Sequence, residues 1–247
     1  MNQALSPLYI GPLAGLRPPK VSATPTADSY PTSELLDPAY LDALLARFGA
    51  QYPQGDRRAV ASLWSKWHFS SLCGHGLVAN LLLERDLPLG LDELHLQQSP
   101  EGQTTGLVLR HAGRPLADLE PHTRFATLLD DHLTPLIEAL AATTGASPKV
   151  FWSNVGNYFE HFAGALASHP MAAPDVAEPA RALMESRTLP DGRRNPLYRP
   201  VRYIEREADS PRRVRRLCCI RYLIDELGVC GNCPLACRGR VRTAETP

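Results

Sequence analysis

The position of the cysteines constrains this 247-residue chain more than any other feature of its sequence. Five of the six cysteines fall between Cys218 and Cys237. A secreted scaffold would spread its disulfides along the chain and carry a signal sequence. Residues 1–20 are apolar but interrupted by four prolines, so they do not resemble a signal peptide. Clustered thiols in a reducing compartment indicate metal binding or redox chemistry.

Four of these thiols form a compact motif in which Cys218-Cys219 is followed, after ten residues, by Cys230-Gly231-Asn232-Cys233. Four thiolates can ligate a soft metal centre such as an iron–sulfur cluster. A structural zinc site is an alternative, although it usually pairs two C-x-x-C arms. Adjacent side chains in an extended segment point to opposite faces, which suits a two-iron core better than a single ion. A thioredoxin-like dithiol at Cys230 and Cys233, or inert buried cysteines, are weaker alternatives.

The fifth thiol of the cluster leaves the ligand set open. Cys230, Cys233 and Cys237, with Pro234, loosely resemble the ligand run of a bacterial ferredoxin, and a [4Fe–4S] cluster also takes four thiolates. Spacing alone therefore does not exclude Cys237 as a ligand. Cys73 is distant in sequence and is expected to be a buried apolar residue.

The pattern of apolar residues predicts an α+β fold, predominantly helical, with one domain, a short strand or hairpin region and a small cysteine-bearing segment at the C-terminus. We expect an irregular arm over residues 1–36, a mostly helical domain over 37–205 and a metal-binding segment over 206–247. Helices are predicted at 37–49, 58–69, 77–84, 123–146, 147–168 and 174–187, with a break at 70–76 and a bend at Pro135. Strands are predicted at 94–97, 106–110, 201–204 and 214–217.

Charge separates the C-terminal segment from the rest of a chain whose net charge is zero. Residues 206–247 contain nine arginines and five acidic residues. Arg215, Arg216 and Arg221 flank the cysteine pair and are candidates for contact with a substrate or an electron donor. Salt bridges to Glu205, Glu207 or Asp209 would explain them equally well. The near-neutral pI argues against nucleic acid, and no apolar run is long enough to span a membrane.

Three segments resemble the FhuF family of ferric-siderophore reductases. The run 214–222 followed by 230–233 is similar to the family's C-terminal signature, Trp152-Ser153-Asn154-Val155-Gly156 to its W-S-N-x-G segment, and Asn195-Pro196-Leu197-Tyr198 to its N-P-L-aromatic segment. The resemblance implies a [2Fe–2S] cluster on Cys218, Cys219, Cys230 and Cys233. Cys237 departs from the family pattern. The resemblance covers the last hundred residues well and the first sixty in length only.

The resemblance also implies an oxidoreductase: a cytoplasmic, one-electron reductase of ferric siderophores, with a hydroxamate siderophore as the expected substrate. No phosphate-binding loop or dinucleotide fingerprint is present in the sequence. Electrons are therefore expected from a ferredoxin-like or reductase partner, and peripheral association with the inner membrane stays open. The alternative is a non-catalytic protein that handles siderophores and has a zinc- or cluster-stabilised tail.

Overall fold

The structure of the protein is a computed structural model, which describes residues 5–205 and 211–236. Helices predominate in these ranges and the strands are short, so the predicted α+β class is confirmed. The α-helices of the described residues are α1 (Pro38–Gly49), α2 (Arg57–Leu83), α3 (Ala126–Leu128), α4 (Thr134–Thr144), α5 (Pro148–Leu166) and α6 (Glu178–Glu185).

The strands form three small sheets. They are β1 (Lys20–Val21), β2 (Tyr30–Pro31), β3 (Arg85–Asp86), β4 (His95–Gln98), β5 (Thr104–Leu109), β6 (Arg114–Pro115), β7 (Val201–Ile204) and β8 (Arg212–Arg215). The largest sheet has the order β1-β5-β4-β2, with β1 parallel to β5 and the other pairs antiparallel. β3 pairs with β6 and β7 with β8, both antiparallel. The segment predicted to be an irregular arm thus supplies both edge strands of the largest sheet.

Side-chain caps place the starts of two predicted helices. Asp37 accepts hydrogen bonds from the backbone N–H groups of Ala39 (2.7 Å) and Tyr40 (3.2 Å) at the start of α1. Ser147 caps α5 in the same way through the N–H of Lys149. Each cap satisfies N–H groups that have no partner inside the helix. Both predicted starts are confirmed.

The predicted break at residues 70–76 is wrong, because α2 runs without interruption through them. Its glycines serve close packing instead of a turn. A Cβ at Gly74 would lie 2.9 Å from Leu16 Cδ1, and one at Gly76 would lie 3.0 Å from Leu89 Cδ1. Tertiary packing of neighbouring apolar side chains therefore outweighs the low helix propensity of glycine here.

The sequence predicts a bend at Pro135, and the helix is irregular in the turn just before that residue. Residues Leu129–Leu133 form a π-helical turn, in which the N–H of Thr134 bonds to the carbonyl of Leu129. Pro135 follows in the first turn of α4, directly after this π-helical turn.

α2 and α5 pack against each other more extensively than any other pair of helices in the described residues. Their facing side chains form the centre of one apolar core, which includes the fully buried Trp64, Phe69, Phe151 and Phe159. Trp64 also donates a hydrogen bond of 2.9 Å from Nε1 to the carbonyl of Gly102, so its polar atom is satisfied. This helix pair is the platform on which the C-terminal segment lies.

A pair of buried histidines joins α2 to the π-helical turn. His68 Nε2 lies 3.0 Å from His132 Nε2, and His132 Nδ1 contacts the carbonyl of Leu89. A neutral His132 donates from Nδ1 to that carbonyl, so its Nε2 accepts from His68. Burial lowers the pKa of His132 to about 4, and burial also lowers that of His75 on α2 to about 4.

These histidines make the fold sensitive to acid. The unfolded chain titrates its histidines near pH 6.5, so it binds more protons than the folded chain between about pH 6.5 and 4. Stability is complete above the unfolded pKa and falls as the pH decreases, by roughly 1 kcal/mol per pH unit for each histidine. Urea unfolding at pH 7, 6 and 5 measures this slope. The variant His75→Gln should show a shallower slope, and an unchanged slope in that variant would contradict the account.

A close contact in α5 sets the position of the chain that enters β7. A Cβ at Gly156 would lie 2.4 Å from Pro200 Cβ, so only glycine permits the observed packing. Gly164, in the same helix, has no atom within 4 Å of the corresponding position. The two glycines are therefore a matched pair that separates packing from helix propensity.

Gly156→Ala should lower the free energy of unfolding by about 1–3 kcal/mol, because the proline ring cannot move away without shifting the backbone. Gly164→Ala should raise it by up to about 1 kcal/mol, through helix propensity alone. Chemical denaturation of both variants measures these changes. Equal effects of the two substitutions would show that the contact between Gly156 and Pro200 carries no packing energy.

Candidate metal centre

The β7–β8 hairpin delivers the cysteine pair to the surface of the helix platform. Its register pairs Val201 with Arg215, and the N–H of Arg216 bonds to the carbonyl of Pro200 at 3.0 Å. The predicted strand pair is therefore confirmed, with β8 beginning two residues earlier than predicted. The N–H of Arg215 bonds to the carbonyl of Asn232 at 3.0 Å, which joins β8 to the second cysteine segment. The two halves of the motif are thus fixed to each other through the backbone.

The four cysteine sulfurs converge at one place. Cys218 Sγ lies 3.9 Å from Cys233 Sγ, and Cys219 Sγ lies 3.7 Å from Cys230 Sγ. Both separations exceed the S–S bond length of about 2.05 Å, so these four cysteines form no disulfide with one another. Each close pair joins one cysteine of the first segment to one of the second, so both segments contribute to the same site.

The backbone turns sharply after the cysteine pair. Ile220 adopts a left-handed conformation (φ 54°, ψ 13°), which a β-branched residue rarely does. In this conformation its N–H points back at Cys218 and bonds to Sγ at 3.3 Å. Such strain persists only where the surroundings impose it and is concentrated at functional sites. Hydrogen bonds of this kind stabilise negative charge on sulfur.

Serine side chains from both central helices hold the cysteine segment. Ser62 of α2 donates to the carbonyl of Cys219 at 2.7 Å, and Ser153 of α5 donates to the carbonyl of Leu217 at 2.8 Å. The carbonyl groups on either side of Cys218 are therefore bound to two different helices. The position of the thiols is then set by how α2 and α5 pack.

Asn154 connects these serines to Arg215. Its Nδ2 donates to the carbonyl of Ser62 and to Ser65 Oγ, both at 2.9 Å, while its Oδ1 accepts from Arg215 Nη2. The same guanidinium nitrogen lies 3.1 Å from Ser153 Oγ. Asn154 is completely buried and Arg215 is 2 % exposed, so these hydrogen bonds lie away from solvent. Removing one partner would leave buried polar groups unsatisfied.

The electrostatic surroundings favour thiolate at the buried Cys219. Hydrogen bonds from Cys218 and Cys230 hold its pKa well below the usual range, and the positive charges of Lys66 and Arg215 act in the same direction. The same hydrogen bonds raise the pKa values of Cys218 and Cys230, with burial as the second cause. Four soft donors beside two cations suit an anionic iron–sulfur cluster, which these cysteines could hold.

The three arginines selected from the sequence lie in different environments. Arg216 is exposed and lines a cavity, whereas Arg221 donates to the carbonyl of Leu227 and so braces the loop between the two cysteine segments. Contact with a substrate or an electron donor stays a prediction for all three arginines. The burial of Arg215 argues against such contact at that residue. In the described residues none of them is paired with a carboxylate. Glu207 and Asp209, their alternative partners, lie outside the described residues.

Almost every residue of the W-S-N-x-G segment of α5 makes a contact that shapes the site. Ser153 and Asn154 bind the cysteine segment, while Trp152 lines a cavity of about 610 Å³ beside it. Val155 is fully buried, and Gly156 makes room for Pro200. The side chain of Asn195 bonds to the carbonyls of Leu183 and Ser186, which fixes the N-P-L-Y segment. The W-S-N-x-G segment therefore holds the cysteine segment, and the N-P-L-Y segment lines the cavity beside it.

Sequence reasoning missed the contributions of α2. Ser62, Ser65 and Lys66 occupy buried positions on a helix whose other buried residues are mostly apolar. That polarity, with two serines three residues apart, was the available signal. It does not reveal the partner, because Cys219 is distant in the chain. Cys73 is fully buried, as expected, and Cys237 lies outside the described residues.

Comparison with known proteins identifies the family to which the chain belongs. The sequence model of a family described as "Ferric iron reductase FhuF-like transporter" matches residues 62–210, and one described as "FhuF 2Fe-2S C-terminal domain" matches residues 215–235. A protein named "Ferric siderophore reductase" from Escherichia coli (strain K12) is 26% identical over 181 residues, which cover 73% of this chain and 67% of that protein. In the described residues no helix is long and apolar enough to cross a membrane. The cofactor is a [2Fe–2S] cluster, and the chain belongs to the FhuF-like family of ferric iron reductases.

Proposed function

We propose that the protein is a cytoplasmic reductase that passes one electron from its [2Fe–2S] cluster to siderophore-bound Fe(III) and so releases Fe(II). Cys218, Cys219, Cys230 and Cys233 are proposed as the ligands. The observation that carries the proposal is the convergence of these four sulfurs on the α2–α5 platform, beside a solvent-accessible cavity. The family match supports ferric iron as the species reduced.

Reduction of the iron also releases it from the siderophore. Siderophore oxygens are hard, anionic donors, and they hold Fe(III) mainly through its high charge. One added electron weakens every one of those bonds, and no covalent nucleophile or general acid is needed. The reaction is balanced as a single-electron exchange, in which Fe(III) becomes Fe(II) and the cluster is oxidised by one electron.

The protein's own residues prepare the site for that electron. Lys66 and Arg215 are buried cations close to Cys219 and Cys230, and they offset the negative charge that the reduced site carries. The N–H of Ile220 acts in the same direction at Cys218. Net charge and hydrogen bonds to sulfur are the main determinants of cluster potential. We expect these groups to raise that potential.

The reduced state must be restored by a partner, for which we propose a ferredoxin-like protein or a reductase. Cys218 and Cys230 are half-buried, so the site is reachable from the surface. The hydroxamate class of siderophore and an association with the inner membrane stay predictions.

A single-turnover experiment tests the function. The protein is reduced anaerobically with dithionite, freed of excess reductant, and mixed with a ferric siderophore and a chromogenic Fe(II) chelator. We expect one Fe(II) per cluster, with loss of the reduced-cluster signal at the same rate. A reduced cluster that persists beside intact ferric siderophores would refute the proposal and favour the non-catalytic alternative.

Substitution of the cysteines tests the ligand set. Cys218→Ser, Cys219→Ser, Cys230→Ser and Cys233→Ser should each abolish or severely reduce bound iron and acid-labile sulfide, because each removes one thiolate. Cys237→Ser is the matched control and should keep both at the level of the unmodified protein. Iron loss in that control, or full retention in any of the four, would overturn the assignment.

A further inference from the structure

The cavity beside the cysteine pair carries an uncompensated positive charge. Its volume is about 610 Å³, and no carboxylate is among the described residues that line it. In residues 5–205 and 211–236 none of its cations forms an ion pair, and each of them is exposed. Their combined field therefore extends into solvent and attracts an acidic partner. These cations are Lys149, Arg194, Arg199, Arg202 and Arg216.

Tyr198, which lines this cavity, holds three arginines around its ring. The guanidinium carbons of Arg187 and Arg199 each lie 5.4 Å from the centroid of the ring. That of Arg216 lies 5.9 Å from the same centroid. All three are within cation–π distance, so attraction to the ring opposes the repulsion between these like charges. The positive charge is thus concentrated on one part of the surface without acidic residues to neutralise it.

An exposed apolar residue connects the cationic cavity to the thiols. Leu217 lines the cavity, is 49 % exposed and directly precedes the half-buried Cys218. Consecutive Cα atoms are about 3.8 Å apart, so a protein that covers Leu217 lies next to the first thiol of the motif. The cavity therefore combines apolar contact residues with cations, as interfaces between proteins do.

We infer that this cationic cavity is the docking surface for an acidic, ferredoxin-type protein that donates one electron to the metal centre. The inference rests on the proposed reductase function and names the partner that restores its reduced state. The cluster of the donor is oxidised by one electron and the cluster of this chain is reduced by one. No bond is made or broken in this exchange, and no proton is transferred.

The charge of the cavity suits such a donor better than it suits the predicted substrate. A hydroxamate is a monoanion, so the complex of Fe(III) with three hydroxamates is neutral and gains little from five cations. An acidic protein presents several carboxylates, and arginine binds each of them with two parallel hydrogen bonds. Charge complementarity of this kind speeds encounter and orients the partner. Electron-transfer complexes are small and weak, which lets the spent donor leave.

A redox-inert donor measures docking without electron transfer. The probe is an acidic plant-type [2Fe–2S] ferredoxin whose iron is replaced by gallium, titrated calorimetrically into the holoprotein. We expect it to bind, with an affinity that falls roughly tenfold when KCl is raised from about 50 to about 300 mM.

Charge reversal locates the docking surface. Arg202→Glu and Arg216→Glu should each weaken binding of the gallium ferredoxin about tenfold, because each replaces an attraction by a repulsion. Arg110→Glu is the matched control, since Arg110 is exposed and does not line the cavity. It should change the affinity less than about twofold. Cluster absorbance and thermal unfolding verify that each variant is folded, and Arg194→Glu replaces a cavity variant that is not.

Three outcomes overturn the inference. The first is that the gallium ferredoxin does not bind, and the second is that its affinity is unchanged in both cavity variants. The third is its displacement by the Ga(III) complex of a tris-hydroxamate siderophore, which would identify the cavity as the siderophore site. Each leaves the proposed reductase function intact if the single-turnover experiment succeeds. Docking that is lost in the cavity variants, without any reduction of ferric siderophore, would instead refute the reductase and support the docking surface.

Discussion

Buried hydrogen bonds between the helix platform and the cysteine segment are the constraint on which the site depends. Asn154 and Arg215 lie away from solvent, and Asn154 Oδ1 accepts a hydrogen bond from Arg215 Nη2, while the buried Arg215 Nε has no hydrogen-bond partner among the described residues. Ser62 and Ser153 extend this contact to the carbonyls on either side of Cys218. Unpaired polar groups are costly in such a place, so the segment has one favourable position. A cluster bound there inherits the rigidity of two packed helices.

One helix organises both parts of the site. Within a single turn and a half, α5 contributes Trp152 to the cavity, Ser153 and Asn154 to the cysteine segment and Gly156 to the contact with Pro200. A shift of this helix would therefore move the cavity and the thiols together. We therefore expect binding at the cavity and electron transfer to depend on the same contacts of residues 152–156.

The sequence predicted those features that depend on residues close together in the chain. Asp37 and Ser147 mark helix starts, since a side-chain oxygen at these positions satisfies nearby N–H groups. The spacing of Cys218, Cys219, Cys230 and Cys233 indicated one thiol site. Long-range packing could not be predicted in this way. Gly74 in the middle of α2 suggested a break, whereas its role is to admit Leu16.

The polar contacts between the two central helices and the cysteine segment could not be predicted from the sequence either. Arg215 was selected from the sequence as a candidate contact for a substrate or an electron donor, but it lies buried and donates a long-range hydrogen bond to Asn154. Mössbauer spectroscopy of ⁵⁷Fe-enriched, anaerobically prepared protein tests the two-iron centre most directly. The account predicts, in the oxidised protein, antiferromagnetically coupled ferric sites with sulfur ligands and two irons per chain. A [4Fe–4S] spectrum, or stoichiometric zinc with no iron, would contradict it.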